Sequence, residues 1–232
     1  MKNLKRYINF FKENLQNSNK KIYVLVGPPS VGKSTWIKQT FVDIEPYVIN
    51  RDEIVEQVAK TYGWTYDDLF VAPLPDQGEG DVSEKYGTVV KSPEYMTWQP
   101  LSYDKVLEAN GKVAELFNKK VLEAKGQENI VVDMTNMNVG SRKGSLKAIE
   151  GSEDEYKKIA VVFNFKGAEE IIKKVAQKRA EEAKRQGLSK TIPPEAFDRM
   201  FKSFQEVSPE EGFDEVINVD NTEKLKNSMM WN

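Results

Sequence analysis

The chain has 232 residues, of which 39% are apolar and 30% charged, and its formal net charge is −2. It contains neither cysteine nor histidine, which excludes disulfides, zinc–thiolate sites, histidine-ligated metals and every catalytic step that needs an imidazole. No apolar run approaches the ~20 residues that span a bilayer, and the N-terminus lacks a signal-peptide core, so we expect a cytoplasmic protein without membrane contact.

Residues 1–20 are predicted to form a leading helix, because Leu4, Ile8, Phe11 and Leu15 recur at helical spacing. Such a helix can flank a domain or bind a partner, and the pattern leaves both readings open. The remaining residues, 21–232, are predicted to form a single domain.

Strands alternate with helices along that domain. Strands are predicted at about 21–26, 46–50, 129–133, 159–165 and 213–219, and helices at about 33–42, 51–62, 103–125, 168–186 and 193–204. This alternation predicts an α/β fold, a three-layer sandwich around a five-stranded, mostly parallel sheet. The stretch 64–100 breaks the pattern with prolines, glycines and aromatic residues, and we interpret it as an irregular insertion.

A phosphate-binding loop follows the first predicted strand. It fits the pattern G-x-x-x-x-G-K-S/T and consists of Gly27, Pro28, Pro29, Ser30, Val31, Gly32, Lys33, Ser34 and Thr35. The backbone N–H groups of such a loop close around phosphate oxygens, and the following helix adds a positive dipole. Lys33 is predicted to reach the β- and γ-phosphates and Ser34 to offer a hydroxyl to Mg²⁺. The sequence therefore predicts binding of ATP or another nucleoside triphosphate.

Two carboxylates follow predicted strands at the same edge of the sheet. Asp52 comes just after the second strand, where it can accept the proton of an attacking hydroxyl or simply cap the next helix. Asp133 ends a buried strand, where it suits Mg²⁺ or its bound water, or is a solvated strand-end acid. Asn136, three residues further on, is a candidate substrate contact or only a turn residue.

A basic segment covers residues 166–190. It is either a solvated helix face or a lid whose arginine stabilises the transferring phosphate. Arg185 is the first candidate for that arginine, and Arg179 is the second, as a residue that contacts the nucleotide.

Four segments together resemble the 5′-hydroxyl polynucleotide kinases of phages and the wider P-loop kinase family. They are GPPSVGKSTW (27–36), INRDEI (49–54), IVVDMTNMNVGSRK (130–143) and KRAEEAKRQGLSKTIPPEAFDRMFKSF (178–204). Their order matches the family and, with EGFDEVINV (211–219), the resemblance covers most of the chain. The phosphate loop is generic, whereas N-R-D-E and D-x-T-N are more specific in combination.

The resemblance implies a P-loop kinase-type fold with a helical lid at about 178–192, and a role for each matching residue. Lys33 and Ser34 would hold ATP and Mg²⁺, and Asp52 would be the general base. Asp133 would organise the site, and Arg185 would act on the transferring phosphate. The implied activity is phosphorylation of a 5′-hydroxyl end of DNA or RNA in end repair, in the host cytoplasm if the protein is viral.

The sequence departs from that family at one informative position. Phage polynucleotide kinases carry an arginine one turn after the base aspartate, where it contacts the acceptor's phosphate, whereas this chain has Val55. Arg51 is a candidate substitute. A second acceptor class therefore stays open: a nucleoside, a sugar or a hydroxymethylated DNA base. No D-x-D-G-T motif occurs, so no phosphatase domain of the kind fused to some relatives is expected.

Overall fold

A computed structural model describes residues 20–71, 103–149, 156–185 and 190–230. The predicted leading helix and all but the first part of the predicted insertion lie outside these residues. Among the described residues, no helix is both long and apolar enough to cross a bilayer.

The described strands and helices alternate, as predicted. The strands are β1 (Lys21–Val26), β2 (Tyr47–Ile49), β3 (Asn129–Val132), β4 (Lys157–Asn164) and β5 (Glu215–Asp220). The helices are α1 (Lys33–Thr40), α2 (Arg51–Thr61), α3 (Tyr66–Val71), α4 (Tyr103–Ala124), α5 (Val139–Ile149), α6 (Glu169–Arg185), α7 (Pro194–Ser203) and α8 (Thr222–Met230), with a 3₁₀ turn at Pro209–Glu211.

In the part of the chain that the structure describes, five strands form one sheet in the order β2-β3-β1-β4-β5. All four pairings are parallel, and β1 pairs with β3 from Lys21↔Asn129 and with β4 from Lys21↔Lys157. Central β1 and β3 are almost wholly buried, whereas the edge strand β5 alternates between half-buried and exposed residues. The predicted α/β three-layer sandwich is confirmed, and its sheet is entirely parallel.

Three of the helices in the described residues were not predicted. The short helix α3 lies inside the stretch predicted to be irregular, and that part of the prediction is wrong. Thr65 and Asp68 form a capping box that starts the helix: the Asp68 N–H donates to Thr65 Oγ1 (3.2 Å) and the Thr65 N–H to Asp68 Oδ2 (2.7 Å). The helices α5 and α8 are the other two.

The chain divides into two compact units. The P-loop unit comprises Met1–Asn50, Lys120–Ile172 and Met200–Asn232. It contains the sheet, and Trp36 of α1 packs edge-on against Phe163 of β4, with ring centroids 6.3 Å apart.

The helical unit comprises Arg51–Lys119 and Lys173–Arg199. Its core joins α2, α3 and the first half of α4 around Ile54, Val55, Val58, Leu69 and Val113, all of them buried. Val55, at the position where the phage enzymes carry an arginine, is therefore a core residue that is only 3% exposed.

Candidate functional site

The P-loop connects β1 to α1 through two glycines that cannot be replaced without strain. A Cβ on Gly27 would lie 3.1 Å from both Phe163 Cβ and Val31 Cγ1. Gly32 has a φ of 107°, and a Cβ there would lie 2.8 Å from Asn221 Nδ2. The glycines of the sequence pattern therefore have a physical cause: close packing at the first glycine, and a left-handed backbone with a close neighbour at the second.

The side chain of Lys33 lies over its own loop. Its Nζ donates to the carbonyl oxygens of Gly27 and Pro28, each at 2.9 Å. Ser34 and Thr35, the next two residues of α1, are exposed. The ammonium is thus held on the loop predicted to take a triphosphate, with the Ser34 hydroxyl beside it in sequence and open to solvent.

The segment after β3 is tied to the P-loop. The N–H of Gly27 donates to the Thr135 carbonyl (2.9 Å), and Asn136 Nδ2 donates to the Leu25 carbonyl (2.9 Å). Asp133 is half-buried; its N–H donates to the Ile49 carbonyl (3.0 Å), and its Oδ2 lies 3.4 Å from Asn50 Nδ2. The structure therefore places the predicted site residues Asp133 and Asn136 just after the carboxyl end of β3, a strand that pairs with β1.

The buried side chain of Asn136 stabilises this segment through hydrogen bonds. Its side chain is 2% exposed, and its Oδ1 accepts from Ser145 Oγ at 2.8 Å. Its backbone has a φ of 46°, a left-handed conformation that asparagine tolerates better than most residues. These contacts give it a supporting role, and direct contact with a substrate stays a prediction.

A buried ion pair that the sequence did not predict braces the same segment. The Arg142 guanidinium is fully buried, and its Nε and Nη2 donate to the Glu211 carboxylate at 2.6 and 2.8 Å. Its Nη1 also donates to the carbonyls of Asn136 (3.2 Å) and Gln205 (3.0 Å). The guanidinium beside Glu211 lowers the pKa of that carboxyl below its ordinary value, although burial opposes the shift.

A cavity of about 310 Å³ lies at the carboxyl ends of β4 and β5, in the P-loop unit. It is lined by Val162, Phe163, Asn164, Phe165, Lys166, Phe204, Glu206, Asn218, Val219 and Asp220. Phe165 and Phe204 meet edge-on with centroids 5.0 Å apart. Aromatic, amide and charged groups thus line a concave surface at the sheet edge where parallel α/β folds bind their ligands.

Asp52 lies in the first turn of α2, in the helical unit. Tyr66 Oη donates to its Oδ1 (3.2 Å), and Lys190 Nζ lies 3.3 Å from its Oδ2. Burial raises the pKa of Tyr66, and the neighbouring Asp52 carboxylate raises it further, so the phenol stays protonated and donates. Half of the Asp52 side chain is exposed, so the carboxylate is both held and accessible to solvent.

The other predicted residues of the helical unit lie on exposed surface. Arg51 is exposed at the start of α2, and Arg179 and Arg185 are exposed on α6, with Arg185 as its last residue. Residues 186–189 of the predicted lid lie outside the described residues. Lys190 and Tyr66, which contact Asp52, were not predicted as site residues, and no local sequence pattern marks them.

A metal site made by protein ligands alone is not found in the described ranges, where no group of three or more aspartate, glutamate, cysteine or histidine side chains converges. The chemistry of Ser34 and Asp133 fits Mg²⁺ of the kind that retains waters and binds phosphate oxygens, because such an ion needs only one or two oxygen ligands from protein.

Comparisons with known proteins agree with the fold. The model of the AAA domain family matches residues 22–207, most of the chain. A candidate kinase from Chloroflexus aurantiacus is similar in structure, with a TM-score of 0.51 and 11% identity over 92% of this chain and 94% of that one. A structure from the PezAT toxin–antitoxin system of Streptococcus pneumoniae has 14% identity over 88% of this chain and 89% of that one; its TM-score of 0.36 is too low to support a conclusion.

No curated protein matches the sequence. At 11% identity, the likeness to the Chloroflexus structure concerns the fold alone, whereas the family model covers well over half of the chain. The chain therefore belongs to the AAA domain family, in its P-loop kinase-like form.

Proposed function

We propose that this protein is an ATP- and Mg²⁺-dependent kinase that transfers the γ-phosphate to a hydroxyl acceptor. The single observation that carries the proposal is the position of the Lys33 ammonium, 2.9 Å from two carbonyls of a complete P-loop. Arriving phosphate oxygens would replace these carbonyls as its partners, since a charged acceptor makes the stronger hydrogen bond.

In the proposed reaction, the acceptor oxygen attacks the γ-phosphorus and the bond from that phosphorus to the β,γ-bridging oxygen breaks, so ADP leaves. Asp52 accepts the proton of the hydroxyl, a role that no histidine of this chain can take. Lys33 stabilises the charge that develops on the phosphates, and Arg185, with Arg179 as the alternative, is proposed to do so from the lid. Mg²⁺, held by Ser34 and Asp133, would neutralise the β- and γ-phosphates when bound.

The cavity at the ends of β4 and β5 is the proposed place for the nucleoside of the donor. Its aromatic wall, formed by Phe165 and Phe204, suits a planar base, and it lies in the same unit as the P-loop. Phe204→Ala should then raise the KM for ATP while leaving the kcat nearly unchanged.

The first acceptor class that we propose is a 5′-hydroxyl end of DNA or RNA, as in the phage-type polynucleotide kinases that repair such ends. The resemblance at Asn50-Arg51-Asp52-Glu53 and at Asp133–Asn136 supports it, with Arg51 as the proposed contact to the acceptor. Incubation with γ-labelled ATP and with DNA or RNA oligonucleotides that carry a 5′-hydroxyl tests this acceptor class. Label on the oligonucleotide is the expected result, and its absence under varied salt, pH and metal contradicts this acceptor.

The second acceptor class is a small hydroxyl compound or a hydroxymethylated base. It is favoured by the acidic surface that α2 forms around Asp52 with the exposed Glu53 and the partly exposed Glu56. Such a surface repels a polyanion. A panel of nucleosides, sugars and modified oligonucleotides, assayed beside plain oligonucleotides, separates the two classes by which acceptor takes up label.

A further inference from the structure

The Asp52 carboxylate shares one face of α2 with a second acid. Glu56 follows it by four residues, so the two side chains lie one turn apart, where like charges repel each other. Both are only partly exposed, with 50% of the Asp52 side chain and 38% of the Glu56 side chain in contact with solvent. A carboxylate in this setting needs a compensating positive charge to keep a fixed position.

Lys190 supplies that charge from a distant part of the sequence. Its Nζ lies 3.3 Å from Asp52 Oδ2 and 3.0 Å from Glu56 Oε1, and 4.7 Å from the centre of the Tyr66 ring. Burial lowers the pKa of Lys190, but the charges of Asp52 and Glu56 outweigh that effect and raise it overall, so the ammonium stays charged. Three neighbouring groups from two helices thus converge on one ammonium group.

The backbone next to Lys190 is fixed as well. The N–H of Thr191 donates to both carboxylate oxygens of Asp67, at 2.9 and 3.2 Å, and Asp67 is itself buried. Asp67 and Tyr66 are neighbours in the first turn of α3, the helix that the Thr65–Asp68 capping box starts. The segment that carries Lys190 is therefore attached to the same short helix that presents Tyr66 to Asp52.

We propose that Lys190 is a positioning residue for the reaction: together with Tyr66 it holds the Asp52 carboxylate in one orientation, with an oxygen presented to the hydroxyl of the acceptor. Tyr66 holds Oδ1 and Lys190 holds Oδ2, while Lys190 also neutralises Glu56, which would otherwise push the Asp52 side chain away. This inference rests on the proposed role of Asp52 as the base.

The test compares Lys190→Met with two matched variants. Lys190→Arg keeps the charge. Lys112→Met removes a lysine of the same unit with the same two kinds of contact, an ion pair with Glu108 (2.9 Å) and a tyrosine ring, that of Tyr62, 5.0 Å away. Each variant is assayed for kcat and for the KM of ATP, and its thermal unfolding is recorded to confirm that it folds.

A second measurement does not depend on activity. The carboxyl ¹³C chemical shift of Asp52 is recorded by NMR at one neutral pH, with the signal assigned from Asp52→Asn.

We expect Lys190→Met to lower kcat about tenfold or more, with the KM of ATP within about twofold of wild type. Its Asp52 carboxyl signal should move from the wild-type position, because the carboxylate loses the ammonium that lies 3.3 Å from its Oδ2. Lys190→Arg should restore most of both values, and Lys112→Met should change neither.

Equal kcat and equal Asp52 carboxyl shifts in Lys190→Met and Lys112→Met would overturn the inference, as would a moved Asp52 signal in an enzyme whose kcat is unchanged. If the wild-type protein phosphorylates no acceptor, the proposed function fails, and the NMR comparison still decides whether Lys190 holds Asp52.

Discussion

The P-loop unit and the helical unit hold their candidate reactive groups by different means. In the P-loop unit, Lys33 bonds to the backbone carbonyls of Gly27 and Pro28 in its own loop. In the helical unit, Asp52 is held by side chains, one of them from Lys190, which is 138 residues away in sequence. Backbone contacts within a short motif can be predicted from the motif, whereas side-chain contacts between distant segments cannot.

The largest effect is expected from replacing Lys33, the candidate reactive group of the P-loop unit. Lys33→Ala removes the only charged side chain among residues 27–35, and we expect kcat/KM to fall by about 10³-fold or more. Lys38→Ala, an exposed lysine on the same helix, is the matched control and should stay near wild type. A Lys33→Ala protein with wild-type turnover contradicts the assignment of the donor site.

The next largest effect is expected from loss of the buried ion pair between Arg142 and Glu211. Arg142→Met should lower the free energy of unfolding by about 3–5 kcal/mol, because it leaves the Glu211 carboxylate buried without its charge partner. Lys226→Met breaks an exposed pair with Glu223 and should cost less than about 1 kcal/mol. Urea unfolding measures both losses of stability. Similar losses would show that the buried pair stabilises the protein no more than the exposed one.

The same ion pair predicts how stability depends on pH. Arg142 lowers the pKa of Glu211 in the folded state, so the stability that the pair contributes is present above the ordinary glutamate pKa and is lost as pH falls through the lowered value. Glu211→Gln should therefore lose less stability than wild type between about pH 5 and pH 2. Parallel pH profiles of the two proteins would argue against this coupling.

A smaller effect is expected where α3 begins. Thr65→Ala removes the hydroxyl of the capping box and should lower the free energy of unfolding by about 1 kcal/mol. Thr40→Ala, at an exposed helix end, should stay within about 0.5 kcal/mol of wild type. Denaturant titration of both variants shows whether the cap stabilises the helix that carries Tyr66.

An effect of similar size is expected from removing one hydrogen bond to the candidate base. Tyr66→Phe should lower kcat roughly fivefold, since one such bond contributes about 1 kcal/mol. Tyr47→Phe removes a similar bond from tyrosine to carboxylate, to Glu123 in the P-loop unit, and should leave kcat unchanged. Equal kcat values in the two variants would mean that Tyr66 does not position Asp52.

The elements that could be predicted are those whose bounds are determined by residues close together in the sequence. The bounds of β1 and the start of α1 follow from an apolar run that ends at Gly27 and from the loop glycines, and the structure has both as predicted. The helix α5 was missed although Asn138 caps it, accepting from the Ser141 N–H at 2.8 Å, because Gly140 and Gly144 weaken its helical pattern.

The unpredictable part depends on contacts between distant residues. Nothing near Arg142 in the sequence indicates that a charged side chain is fully buried there, because its partner Glu211 is 69 residues away. In the sequence, Lys190 is one of several basic residues in the segment 166–190, and only its tertiary contacts with Asp52 and Glu56 distinguish it from the others.

The central claim is that Asp52 accepts the proton of a hydroxyl acceptor while the P-loop binds the donor. The most direct test measures transfer from γ-labelled ATP and, separately, ATP binding, in wild type and in Asp52→Asn. We predict that Asp52→Asn loses at least about 10²-fold in transfer and binds ATP as tightly as wild type. Undiminished transfer by Asp52→Asn would contradict the claim.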